Sequence, residues 1–157
     1  MAKSLARFKS YCQGVNFTPS IRQFSEDTKT AQAAAEALGV NVDSIIKSLI
    51  FLVNTEPIVI LIPGDKRVAV EKLSQALGMS STLVTKADAD TARIETGFAV
   101  GGIPPFGHLK KLRTLMDVKM QDKPKCFLAA GTPDSLFEIS AEKLQELTSA
   151  EIVDLAE

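Results

Sequence analysis

An α/β domain built on a mixed sheet is the fold class that this sequence of 157 residues predicts. Two apolar runs, IIKSLIFLV (45–53) and IVILI (58–62), are separated by the turn residues Asn54-Thr55-Glu56-Pro57, and they read as two buried strands of one hairpin. Segments with apolar residues at helical spacing lie on either side of that pair, and several end at a glycine. Hydrophobic residues make up 45% and charged residues 24%, an ordinary globular balance. That balance and the length fit one domain spanning 1–157.

The elements follow in order. Leu5, Phe8 and Cys12 stripe a short amphipathic helix closed by Gly14, and Thr18-Pro19 breaks the chain. Residues 20–24, SIRQF, alternate polar and apolar as a half-buried strand does. Thr28 or Thr30 caps the next helix, whose inner face is Ala31, Ala34, Ala35 and Leu38 and whose end is Gly39. Its alanines predict close approach to the sheet. Asn41 opens a single helical turn before the hairpin, which Pro63-Gly64 stops. Val70, Leu73 and Leu77 line a helix ending at Gly78. Residues 82–85 predict a short strand and 87–94 a polar helix. Residues 114–120, 126–130 and 136–139 predict strands. Ser140 caps a last helix with Leu144 and Leu147 inward, and 149–155 is expected to add a helical turn or two.

Composition excludes several function classes. A net charge of −1 argues against a protein that coats DNA, because such binding sums phosphate neutralisation, although it leaves room for a grip on the end of one RNA. No apolar run approaches the roughly 20 residues of a membrane span. The opening MAKSLARFKSYCQG has neither an apolar signal core nor a cleavage site, so a cytoplasmic protein is expected. Cys12 and Cys126 have no metal-site spacing and are expected as buried thiols.

The densest feature is TGFAVGGIPPFGHLKKL, residues 96–112, which packs three glycines after the first, two adjacent prolines and the single histidine into one loop. Gly101, Gly102 and Gly107 permit positive φ and close approach to the main chain, while Pro104 and Pro105 stiffen it. A tight turn between strands and a backbone shaped to hold a ligand are both consistent with that mixture. GGIPPFGH is neither a phosphate loop, for which the Lys-Ser/Thr is missing, nor a G-x-G-x-x-G turn. There is no nucleophile elbow, one histidine cannot build a His-rich metal site, and Asp88 with Asp90 reads as a solvated helix face. Lys47 is the only charge in the 45–53 run and shares a strand face with Ile45, Leu49, Phe51 and Val53. It is either a snorkelling strand-end lysine or a cation at the lip of an apolar pocket, suited to a phosphate. His108 is either a proton-transfer or hydrogen-bonding group or a residue that stabilises the turn.

Lys47 in KSLIF, then ETGFAVGGIPPFGH, then AAGTPDSLFEISAEKL, in this order and spacing, resembles the YbaK/ProX family over about residues 20–155. These are the free-standing relatives of the editing domain inserted in bacterial prolyl-tRNA synthetases. The resemblance implies a YbaK-like α/β fold with a highly twisted, largely antiparallel mixed sheet or partial barrel flanked by helices. It also implies trans-editing, the hydrolysis of the ester of mischarged Cys-, Ala- or Pro-tRNA-type substrates, with no metal and no cofactor. The family lysine falls on Lys47 and is implied to engage phosphate at the tRNA 3′ end. The family GxxxP loop falls on Gly101–Pro105, so catalytic roles are expected for Lys47, Gly101 and Gly102. Substrate contacts are expected from Ile103, Pro104, Pro105, Gly107, His108 and Gly131. Two positions depart from the pattern: Pro104 replaces a serine-like residue of some branches, and His108 stands where others have Gln.

An activated ester needs no strong nucleophile from the protein; an oriented water and oxyanion donors suffice, each donor being worth roughly 10²–10³ in rate. The expected partner is the aminoacyl-tRNA 3′ end, with a synthetase or elongation factor as a further partner and neither DNA nor membrane. The alternative is a non-catalytic binding module of the same fold. A small nucleotide-binding protein is disfavoured by the missing phosphate loop.

Overall fold

The computed structural model describes residues 2–25, 28 and 30–157, and the element bounds below refer to these. Helices α1 (Ala2–Gly14), α2 (Ala31–Leu38), α3 (Val70–Leu77), α4 (Ala89–Thr96) and α5 (Ala141–Thr148) surround two sheets. Strands β1 (Ser20–Gln23), β6 (Cys126–Ala129) and β7 (Ser135–Ile139) form an antiparallel sheet of order β1-β7-β6. The larger sheet has order β4-β2-β3-β5-β8, from β2 (Ile46–Val53), β3 (Glu56–Pro63), β4 (Val84–Lys86), β5 (Arg113–Asp117) and β8 (Glu151–Val153). Its β2 pairs antiparallel with β3 and β4, while β3–β5 and β5–β8 are parallel. A parallel bridge from Ile45 to Phe127 joins the two sheets without closing a barrel.

The expected hairpin is β2–β3, and both of its faces are covered. Ile46, Ile50, Val59 and Leu61 enter the main core with Phe8, Phe98, Phe106 and Phe137, whereas Phe51, Ile58, Ile60 and Ile62 pack with Leu73 and Leu115 on the other side. Alternation along one strand therefore feeds two cores. The alanine face of α2 does lie close to its neighbours: Ala34 and Ala35 pack with Ile45, Phe127 and Leu136.

Several boundaries differ for identifiable reasons. Thr30, not Thr28, caps α2 by accepting from Ala33 N–H at 3.0 Å, while Thr28 bonds the Pro133 carbonyl through both its N–H and its hydroxyl. The 82–85 strand shifts to Val84–Lys86 because Ser80 caps a 3₁₀ turn over Ser81–Leu83. The 114–120 strand stops at Asp117, which caps the 3₁₀ turn Val118–Met120.

Residues 149–155 are not helical. Ser149 takes φ 56° and ends α5, and Glu151–Val153 becomes β8 at the sheet edge. Two distant groups hold it there. Arg113 grips Glu151 through both carboxylate oxygens at 2.7 and 3.0 Å, and the fully buried Asp117 accepts from the N–H groups of Leu155 and Ala156 at 2.8 and 3.0 Å. A three-residue strand has little local preference, so the partner across the sheet decides its conformation.

Candidate active site

Lys47 sits on β2 opposite Ile62, on the same sheet face as Leu49 and Phe51. Its ammonium donates to the carbonyl of Lys66, in the connection that follows β3. Burial lowers its pKa, the cations of Lys86 and Arg67 lower it further, and Asp65 opposes them. The position combines both sequence readings: a strand-end lysine that is half-buried and also lines an apolar cavity.

That cavity has a volume of about 250 Å³. Its floor is the edge of β2. Strand β4 pairs with β2 only from Phe51 to Val53, and beyond it Ala87 N–H reaches the Ile50 carbonyl. The Ile45–Phe127 bridge closes the other end. Between these limits the β2 edge has no strand partner among the described residues, and every residue from Ile45 to Ile50 lines the cavity. Because Ile50 turns its carbonyl to this edge, the alternation of an antiparallel strand turns the main-chain groups of Ser48 the same way. The Ser48 hydroxyl is buried and is the one such side-chain atom without a hydrogen-bond partner among the described residues.

The roof comes from the glycine-proline loop, of which Val100, Gly101 and Ile103 line the cavity. Thr28, Thr30, Lys86, Ala129 and Leu136 are among the residues of the wall. Gly101 takes φ 91°, a conformation that glycine adopts without strain. Gly102 does not line the cavity. Its N–H donates to the Ala99 carbonyl at 2.9 Å, and a Cβ added there would lie 2.8 Å from the Thr132 carbonyl carbon. Gly102 thus lets the loop seat directly on the backbone of the Gly131-Thr132-Pro133 turn.

The remaining site candidates lie behind the loop. Gly131 takes φ 109°, and a Cβ there would lie 2.7 Å from the Ser4 carbonyl oxygen in α1. Pro105, Gly107 and His108 border a separate cavity of about 70 Å³ with Tyr11 and Thr148. The His108 Nε2 bonds the Pro104 carbonyl at 2.7 Å, and burial lowers the imidazole pKa. This places His108 as a brace across the two prolines, its ring edge-on to Phe98.

Helix α1 holds the loop from the same side. Arg7 donates to the Gly97 carbonyl and stacks over Phe98, Phe8 stacks on Phe106 at 5.5 Å, and Tyr11 packs against Gly107. Sequence reasoning alone missed Thr28, Ser48, Lys86 and Leu136 as cavity residues. Only Ser48 carried a signal, as the one hydroxyl inside an apolar run.

The aminoacyl-tRNA editing domain family model matches residues 25–147, most of the chain and all of the cavity lining. The chain belongs to the aminoacyl-tRNA editing domain family. Among its relatives is EbsC of Enterococcus faecalis, named as a proposed Cys-tRNA(Pro)/Cys-tRNA(Cys) deacylase. It is 29% identical over 84% of this chain and 80% of its own length. The proline–tRNA ligase of Lactobacillus helveticus is 26% identical over 99% of the chain, which spans only 26% of the ligase. A crystal structure of a proposed trans-editing enzyme for prolyl-tRNA synthetase superposes with a TM-score of 0.91 at 32% identity, covering 98% of this chain and 97% of the other. The YbaK-like fold of this editing domain is thereby shown, and α1 lies outside the segment that the family model matches. No helix among the described residues is long and apolar enough to cross a membrane.

Proposed function

We propose that this editing domain hydrolyses the ester joining a wrong amino acid to the 3′ end of a tRNA, acting in trans on Cys-, Ala- or Pro-tRNA-type substrates. The observation that carries the reading is the meeting of Lys47, the open edge of β2 and the Gly101–Ile103 segment around one small cavity. At about 250 Å³ it falls below the roughly 300–1,000 Å³ of ordinary ligand pockets, which suits an amino-acid side chain and not a nucleotide. Its small volume and mostly apolar lining favour small uncharged side chains over large aromatic ones.

In this reading Lys47 binds the phosphate next to the terminal ester, where partial desolvation strengthens the contact. The main chain at Gly101 holds the reacting carbonyl and the attacking water, and Gly102 positions that segment by seating it on the Thr132 backbone. The edge groups of Ser48 meet the amino group of the aminoacyl ester. Water attacks the carbonyl carbon, the carbon–oxygen bond to the ribose breaks, and the ribose oxygen takes up a proton. Orientation and oxyanion stabilisation carry the rate. With a net charge of −1, the domain gains from delivery of the tRNA by a synthetase or elongation factor.

The test is deacylation of a panel of charged tRNAs, with Cys-, Ala- and Pro-tRNA first, by wild type and Lys47→Ala. Turnover of at least one substrate that Lys47→Ala loses while still folded is expected. An intact panel at high protein concentration refutes the reading, and saturable binding without turnover or Lys47 dependence makes the chain a binding module instead.

A further inference from the structure

We propose that Lys86 and Arg67, flanking Lys47, form a cationic track across the mouth of the cavity that holds the phosphates of a single-stranded RNA 3′ end. The proposal rests on the deacylase reading and extends it from the terminal ester to the strand that carries it.

The first argument is size. A cavity of about 250 Å³ that takes an aminoacyl group leaves no room for the nucleotides behind it. The strand must therefore lie outside, across the rim where Lys47 sits.

The second is placement. Lys86 ends β4 opposite Phe51, so its side chain leaves the same sheet face as Lys47, and it lines the cavity. Arg67 does not line the cavity, but it directly follows Lys66, whose carbonyl anchors the Lys47 ammonium. The three cations thus come from three separate segments, two of them lining the cavity and the third next to the carbonyl that holds Lys47.

The third is charge. Among the described residues, Lys66, Lys72, Lys110, Arg113 and Lys123 each pair with a carboxylate. Lys86 and Arg67 are exposed and have no such partner there. The carboxylate nearest to offsetting this cluster, Asp65, is already engaged with Lys66 at 3.5 Å. Like charges gathered at one rim repel, and Lys47 registers that repulsion from both neighbours. A row of phosphates removes it, which a neutral or cationic partner would not. The overall charge of −1 makes this a local feature and not a general affinity for polyanions.

Binding of a labelled, unacylated RNA hairpin with a single-stranded 3′ tail, followed by fluorescence anisotropy across a salt series, tests the track. No ester is present, so the result is independent of whether the domain deacylates anything. Lys86→Gln and Arg67→Gln are each expected to raise Kd about 3–10-fold at low salt and to flatten the salt dependence by about 0.7 for each phosphate that is no longer neutralised. Lys125→Gln, an exposed lysine before β6, is expected to bind like wild type. Wild-type Kd and slope in both rim variants overturn the proposal. So does equal binding of a blunt hairpin without the tail, or the lack of saturable wild-type binding at low salt.

Discussion

The guanidinium of Arg7 donates a 2.7 Å hydrogen bond to the carbonyl of Gly97 and lies 4.5 Å above the ring of Phe98. A residue of the first helix thereby fixes the point where the glycine-proline loop leaves α4. Arg7→Ala removes a charged hydrogen bond and a cation–π contact, an expected loss of about 1–3 kcal/mol. Urea unfolding measures that cost. If α1 positions the loop, kcat falls more than stability explains, with partial recovery in Arg7→Lys.

Gly101 and Gly102 fail differently when replaced by alanine. At Gly101 the barrier is conformational, about 1–2 kcal/mol for a side chain at positive φ. At Gly102 it is steric, because the new methyl meets the Thr132 backbone at 2.8 Å and backbone cannot swing aside. Gly102→Ala is expected to shift the loop and abolish deacylation while leaving much of the fold intact. Near-wild-type turnover by Gly102→Ala would remove the seating argument.

Lys47 is expected to act at the expense of stability. Its pKa is lowered by burial and by Lys86 and Arg67, so its charge is unfavourable in the folded state at neutral pH. That cost is fully present below the folded-state value. As pH rises from that value toward the ordinary lysine range, the unfolded chain holds the proton that the folded chain has lost, and wild type gains stability. Lys47→Met should therefore keep or raise Tm at pH 7 and lose deacylation by about 100-fold or more. Wild-type activity should decline in the same alkaline window, below the usual lysine pKa.

His108 makes the opposite pH prediction on the acid side. Burial holds its pKa below the unfolded value, so folding is weakened as pH falls from that unfolded value through the folded one and is unaffected above it. His108→Gln retains a donor for the Pro104 carbonyl and removes the titration. A flatter stability profile on the acid side of the ordinary histidine value, about pH 6.5, is expected for it, read from thermal melts across pH. Deacylation by His108→Gln close to wild type fits a brace; complete loss with an unchanged fold would restore a chemical role.

The sequence by itself determined the hairpin, the alanine helix, the Ser140-capped helix and the three stretches that carry the family resemblance. The hairpin and the helices depend on local preference or on a period of apolar residues, and these act over a few positions. It also marked Lys47 and the glycine-proline loop as unusual. Other features were decided only by tertiary structure. Within 149–155, Glu151–Val153 became a strand because Arg113 and Asp117 hold this stretch, and Gly102 proved to face Thr132 because two loops meet there. The cavity likewise depends on β4 ending its pairing at Phe51, which exposes the β2 edge beneath Gly101. Periodicity reports which face of a strand is buried; it carries no information about which edge is left without a neighbour, since that depends on segments far along the chain.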